Sequence, residues 1–221
     1  MKNLKNSECW YSASCSDDCD RCVTFTELKW QMDNSGLYPS QQKPIELYID
    51  EFNTIDKKAY KRLADWRSHI TECVDGHYNL YICSNEVGNG KTSWAIKMLQ
   101  TYFHFRAKGN YEHLLGMFVN TTDLLLRFKD FNNPVSQKYK DDLENVDLVV
   151  FDDIAVTSSI SQYDYTQLFN IINKRNMAQK STIYTSNITT YEELEKLLGP
   201  RLATRIYDSS EVIELKGTGR R

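Results

Sequence analysis

No stretch of about 18 apolar residues occurs in this 221-residue chain, so nothing in it reads as a membrane span. The opening MKNLKNSECWYSASC holds a lysine pair with no apolar core behind it, which excludes the pattern of a signal peptide. These two absences lead to the expectation of a cytoplasmic protein with no membrane partner. A strong charge of one sign is lacking as well. The net charge is -3, from 27 Lys/Arg against 30 Asp/Glu, which argues against a strongly basic nucleic-acid binder. Residues 1–50 carry five basic against eight acidic residues and the remainder is balanced, so any contact with DNA is expected to be local and modest. There is no internal repeat and no low-complexity tract. The length suffices for one full-sized α/β domain and a small accessory piece.

What is present is unevenly spread. Of the six cysteines, Cys9, Cys15, Cys19 and Cys22 crowd into one short segment, while Cys73 and Cys83 stand alone among apolar residues. The spacing C-x5-C-x3-C-x2-C is not a standard zinc-finger pattern, but four thiolates in a short segment suit tetrahedral Zn²⁺, with unligated thiols as the alternative. A piece this small cannot build a sufficient core, and a metal would supply its folding energy. Asn34 to Asp50 carries a glycine, two prolines and a polar stretch, which reads as a linker. The expected division is a Cys-rich module over 1–45 and a larger domain over 46–221. Lys57 to Arg67, KKAYKRLADWR, places five basic residues around Tyr60 and Trp66. It fits the solvated face of an amphipathic helix better than a nucleic-acid patch.

Beyond the linker, short apolar runs alternate with helix-periodic ones. NLYIC, LLGMFVN, VDLVVFDD and STIYTSN read as strands. TSWAIKMLQTYFHF, TTDLLLRFKDF (begun by a threonine cap), YTQLFNIINKRNMA and TYEELEKLLG (closed by Gly199) read as helices. Such alternation predicts a parallel sheet covered on both faces, with the active residues at the carboxyl ends of the strands.

Between NLYIC and its helix lies Asn85, Glu86, Val87, Gly88, Asn89, Gly90, Lys91, Thr92 and Ser93. From Gly90 onward this meets the phosphate-loop pattern G-x-x-x-x-G-K-[ST], with Asn85 in the first glycine's place. Asparagine tolerates a left-handed backbone, so the departure is chemically mild. Glycines let the loop curl its N–H groups toward phosphate, and the helix behind adds its dipole. Lys91 would reach the β- and γ-phosphates and Thr92 would offer a hydroxyl to Mg²⁺. The plainer alternative is a glycine-rich turn with an exposed lysine, which strand, loop spacing and helix together disfavour. LVVFDDI supplies a partner: an apolar strand ending in acid would put Asp152 beside the Mg²⁺ and Asp153 where it polarises water.

With VGNGKTS, LVVFDDI, LFNIINKRNMAQKSTIYTSN and LEKLLGPRLATRI in view, the chain from about Asn79 to Arg221 resembles the AAA+ ATPases that load replicative helicases, the DnaC/DnaI type of bacteria and their phages. The resemblance implies an AAA+ P-loop sheet flanked by helices, without a C-terminal helical lid. It implies slow, assembly-dependent ATP hydrolysis with Mg²⁺, and a hexameric replicative helicase and single-stranded DNA as partners. It makes Asn187 the sensor near the γ-phosphate. It makes Arg205, with Arg201 in the same segment, the arginine finger of a self-associated neighbour. Arg220 or Arg221 is a weak match to a further phosphate sensor. Helicase loaders commonly grip the helicase through an N-terminal region, a role open to the acidic module with Trp10, Tyr11 and Trp30. Two other readings stay open: a transposition helper resembling IstB, and a nucleotide-dependent adaptor with little hydrolysis. The second draws on Asp153, one methylene shorter than the glutamate usual in AAA+ enzymes.

Overall fold

The computed structural model describes residues 22–45, 47, 54–106, 113–130, 133–155 and 160–217. Among them, the apolar runs form a five-stranded sheet: β1 (Asn79–Cys83), β2 (Gly116–Asn120), β3 (Leu148–Asp152), β4 (Ser181–Ser186) and β5 (Ser210–Glu214). The order across the sheet is β2-β3-β4-β1-β5, and every pairing is parallel. β1, β3 and β4 are buried along their whole length, as expected of strands covered on both faces. Successive side chains on a strand point to opposite faces, and the core divides accordingly. Leu80, Ile82, Leu148, Val150 and Ile183 face one layer, and Tyr81, Cys83, Val149, Phe151 and Tyr184 the other.

The first layer holds α1 (Val23–Asn34), α2 (Lys57–Ser68), α3 (Ile70–Asp75) and α4 (Lys91–Arg106). α4 crosses from β1 toward β2, and its Trp94, Ile96, Met98, Leu99 and Phe103 are all buried. The second layer holds α5 (Thr121–Arg127), α6 (Pro134–Asn145), α7 (Gln162–Met177), α8 (Tyr191–Leu198), the short α9 (Pro200–Ala203) and a π-helical turn over Thr204–Asp208. No described helix is long and apolar enough to cross a membrane.

Three local expectations meet a different outcome. α5 is capped not by a threonine but by Asn120, whose side chain accepts from the N–H groups of Thr122 (3.0 Å) and Asp123 (3.3 Å). Thr121 points its hydroxyl elsewhere, to the carbonyl of Asp152 at 2.8 Å. The stretch from Asn34 to Ile45, expected as a linker, lies against the α/β unit. The Ser35 carbonyl accepts from the Phe118 N–H at 2.7 Å, and the buried amide of Gln100 donates to the carbonyls of Gln41 and Lys43 at 2.6 and 2.7 Å. Upstream of it, α1 buries Leu28 and Met32 in the first core layer, and Gln31 bridges the His113 carbonyl and the Leu115 N–H, each at 2.9 Å. Residues 22–45 therefore pack as part of the sheet's own coat.

The basic segment Lys57 to Arg67 behaves as an amphipathic helix. Trp66 is buried and donates its indole N–H to Glu211 at 2.6 Å, while Tyr60 stacks on Trp94 with centroids 6.3 Å apart. Both aromatic rings are spent on packing, and the exposed face is left to charged residues, Lys57, Lys58, Lys61, Arg62 and Asp65. Just before α2, the carboxylate of buried Asp56 accepts from the N–H groups of Lys216 (2.7 Å) and Gly217 (2.8 Å), tying the helix start to the end of β5.

Candidate functional site

The parallel sheet brings the carboxyl ends of β1, β4 and β3 side by side, where open α/β sheets bind their ligands. β1 ends at Cys83, and the next residue, buried Ser84, donates its N–H to the Ser186 carbonyl at 3.2 Å. The Ser84 hydroxyl then accepts from the Glu86 N–H at 3.0 Å and from the Asn89 amide, gathering both arms of the loop on one oxygen. Gly88 and Gly90 take positive φ, 79° and 96°, which a side chain would strain. Asn85 does not use the left-handed conformation: among the described residues other than glycine, positive φ occurs at His77, Asp153 and Gln179. Asn85 lies in a bend, and the loop's turn falls at Val87 and Gly88.

Lys91 opens α4 and is buried. Its ammonium donates to the Glu86 carbonyl at 2.9 Å and, at longer range, to the Ser84 carbonyl (3.4 Å) and Asn89 Oδ1 (3.5 Å). Burial pulls its pKa down, and the nearby Asp153 and Asp152 oppose that pull. A cation held by carbonyls under a curled loop is a charge waiting for a better anion. Thr92, the next residue, donates its hydroxyl to Asp152 Oδ1 at 2.8 Å. The loop and the end of β3, expected to meet from their motifs alone, are thus in hydrogen-bond contact. A hydroxyl and a carboxylate side by side form the hard oxygen donor set that suits Mg²⁺, so the residues present fit that ion.

Asp152 is buried and Asp153 half-buried just beyond it. Burial raises the Asp153 carboxyl above its ordinary value, with the Asp152 charge adding and Lys91 opposing. Asn187 is exposed, one residue past the end of β4. The segment after it is anchored by Tyr81, which donates to the Ile188 carbonyl at 2.9 Å, and by Tyr207, which donates to that of Thr189 at 3.2 Å. Arg205 is not turned toward this loop. Its Nε donates to Asn173 Oδ1 at 2.7 Å and its guanidinium lies 4.9 Å above the Phe169 ring, both on α7. Arg201 is exposed nearby.

Sequence reasoning missed three hydroxyls that hold this arrangement: Ser84, Thr121 and Thr185. Ser84 and Thr185 sit in or beside apolar strand runs, where serine and threonine pass as ordinary strand residues. Arg175, quoted only as part of a motif, is fully buried and donates to the carbonyls of Leu143, Val146, Asp147 and Ser181. It ties α6, α7 and β4 together and has no place at the site. Of the expected zinc ligands, Cys9, Cys15 and Cys19 lie outside the described residues, as do Arg220 and Arg221. Cys22 caps α1, its sulfur accepting from the Phe25 N–H at 3.4 Å. Among the described residues no group of three or more His, Cys, Asp or Glu side chains could hold a metal. Cys73 and Cys83 are isolated by packing, their thiols pushed up to about 11 and about 12 by burial.

A five-stranded parallel sheet in this order, with a lysine-bearing loop after its first strand and an acid at the end of its third, has the α/β fold of AAA+ domains. The comparisons agree. The crystal structure of the DnaC helicase loader superposes with a TM-score of 0.64 at 23% identity, covering 76% of this chain and 94% of that one. The DnaI crystal structure gives 0.58 at 19%, covering 78% and 88%. In sequence the chain resembles the replicative helicase loader DnaC of Escherichia coli (strain K12), 29% identical over 183 residues, or 81% of this chain and 69% of that protein. No family model matches the chain.

Proposed function

We propose that this protein is an ATP-controlled loader of a replicative DNA helicase, acting on single-stranded DNA at the start of replication. The observation that carries the reading is the Thr92–Asp152 contact beneath a loop centred on Lys91, in a chain whose sequence resembles DnaC over 81% of its length. In this reading the loop amides of residues 85–90 and the Lys91 ammonium hold the ATP phosphates. Thr92 and Asp152 hold Mg²⁺, which when bound neutralises phosphate charge. Asp153 polarises the attacking water, Asn187 orients it, and Arg205 of a neighbouring copy stabilises the charge that develops on the transferred phosphoryl group. Arg205 contacts α7 rather than its own loop, and that supports a role across a subunit interface.

The N-terminal Cys-rich segment ahead of α1 is assigned the helicase grip, with zinc on Cys9, Cys15, Cys19 and Cys22. Support for that part comes from the sequence alone, and elemental analysis of the purified protein tests it: about one zinc per chain is expected of a four-ligand site. The function itself is tested by co-purification of the tagged protein with the hexameric replicative helicase of its host, with and without ATP. ATP-dependent recovery of the helicase is expected. A protein that binds ATP yet brings down no helicase in either condition refutes the loader reading and leaves the transposition helper and the adaptor.

A further inference from the structure

β4 carries a threonine one residue before its end that does more than fill a strand position. Thr185 is fully buried. Its hydroxyl donates to Asp152 Oδ1 at 2.7 Å and accepts from the Asp153 N–H at 2.9 Å. Its carbonyl accepts from the Ile154 N–H, also at 2.9 Å. One residue therefore grips three consecutive residues where the chain leaves β3. A hydroxyl has one proton and two lone pairs; here the proton is committed to one aspartate and a lone pair to the next. Strand propensity and packing would be met equally by valine, which has the same shape and neither capability.

What Thr185 grips is unusual backbone. Asp153 has φ 55°, the left-handed region, which strains a residue other than glycine and persists where the surroundings over-determine it. The N–H of that residue and of the one after it both end on Thr185. Asp152 is held with equal definition. Thr92 and Thr185 both donate to Oδ1, at 2.8 and 2.7 Å, leaving Oδ2 without a protein donor among the described residues.

Resting on the nucleotide-site reading above, we propose that Thr185 is the positioning residue of this site, setting the metal-side carboxylate of Asp152 and the water-side carboxylate of Asp153 at once. Its hydroxyl keeps Oδ1 against Thr92 and leaves the second oxygen without a protein donor among the described residues, open to a metal ion. The same hydroxyl pins the turn that carries Asp153. The two carboxylates thus cannot drift independently, although neither the phosphate loop nor the acidic pair contains the residue that couples them.

The experiment is a Mg²⁺ titration of fluorescent-ATP binding, run beside a titration in EDTA, on the wild type, Thr185→Val and Thr185→Ser. Loss of a partner that orients a metal's protein ligand typically costs about 10–100-fold in metal affinity. Thr185→Val is therefore expected to need at least about tenfold more Mg²⁺ for half-maximal effect, with binding in EDTA unchanged. Thr185→Ser, which restores the hydroxyl, is expected to restore the midpoint. A purely structural role would weaken binding in both media and would not respond to the hydroxyl. If Thr185→Val loses binding in EDTA through misfolding, Thr185→Ala is measured on the same criteria. A valine variant with the wild-type Mg²⁺ midpoint, or a serine variant that fails to recover it, overturns the proposal. So does a wild type whose binding ignores Mg²⁺. A wild type that binds no nucleotide in either medium fails the site reading itself, and the two failures are thereby told apart.

Discussion

Asp153→Asn should make the nucleotide-free protein more stable at neutral pH, and that gain should vanish in acid. The substitution keeps the side chain's shape, and asparagine tolerates the left-handed backbone at this position as well as aspartate does. What it removes is a charge in an unfavourable place. Burial, then the Asp152 charge, raises the Asp153 carboxyl above 3.8, its ordinary value, and Lys91 only partly compensates. The sign follows from proton linkage. A carboxyl with a raised native pKa binds its proton more tightly in the folded chain, so its favourable contribution is complete below pH 3.8 and is lost as pH rises through the native value. At neutral pH the ionised group is a cost to the fold, and the neutral amide of the variant would not carry it. Because the group is half-exposed, solvent screening limits the cost to roughly 0.5–1 kcal/mol. For a chain of this size that corresponds to a rise in melting temperature of about 1–4 °C. Thermal melts of both proteins without nucleotide, from pH 7.5 down toward pH 4, measure it. A variant less stable than wild type at pH 7.5, or a gain that does not shrink on acidification, refutes the reasoning. A destabilising acid kept at a strand end is what a catalytic position looks like, so the same variant should bind ATP while hydrolysing it far more slowly.

Arg175→Ala strands several buried carbonyls and the Thr182 hydroxyl, and should lower stability by at least about 3 kcal/mol, or roughly 6–12 °C in melting temperature, without changing the ATP affinity of the folded protein. Asp56→Ala leaves two backbone N–H groups bare and should cost about 1–3 kcal/mol in urea unfolding, again with nucleotide binding retained. For the finger, Lys91→Ala and Arg205→Ala subunits, each inactive alone, should recover some hydrolysis when mixed, since an arginine finger contributes about 10³–10⁵ in rate across an interface. Demonstrated co-assembly with no recovery counts against the role in trans.

The sequence announces the frame of this fold where its pattern is strong. β1 through β4 and the helices α4, α5, α7 and α8 are apolar-periodic, and each forms close to where its pattern lies. β5 is hidden because SEVIE offers only Val212 and Ile213, set between two glutamates, on an edge that is only half-covered. α1 begins with Val-Thr-Phe-Thr, weak helix formers, and buries the polar side chains of Glu27 and Gln31, so no apolar stripe marks it. α6 did carry a cue, Asn133 before Pro134, a cap followed by a first-turn proline. At the site, Lys91, Thr92 and Asp152 come together as their motifs imply, because a motif spells out side chains that meet a ligand. Ser84, Thr121 and Thr185 meet the backbone and other side chains instead, and tertiary register alone brings them there.

The central claim, a nucleotide held by the loop around Lys91, is tested most directly by titrating fluorescent ATP into the wild type and into Lys91→Ala. A hydrogen bond from a charged group contributes about 1.5–3 kcal/mol, which corresponds to a loss of affinity of about 10–150-fold. The account predicts saturable binding by the wild type and a loss of at least about tenfold in the variant. Equal affinity of the two proteins, or no binding by either, would contradict it.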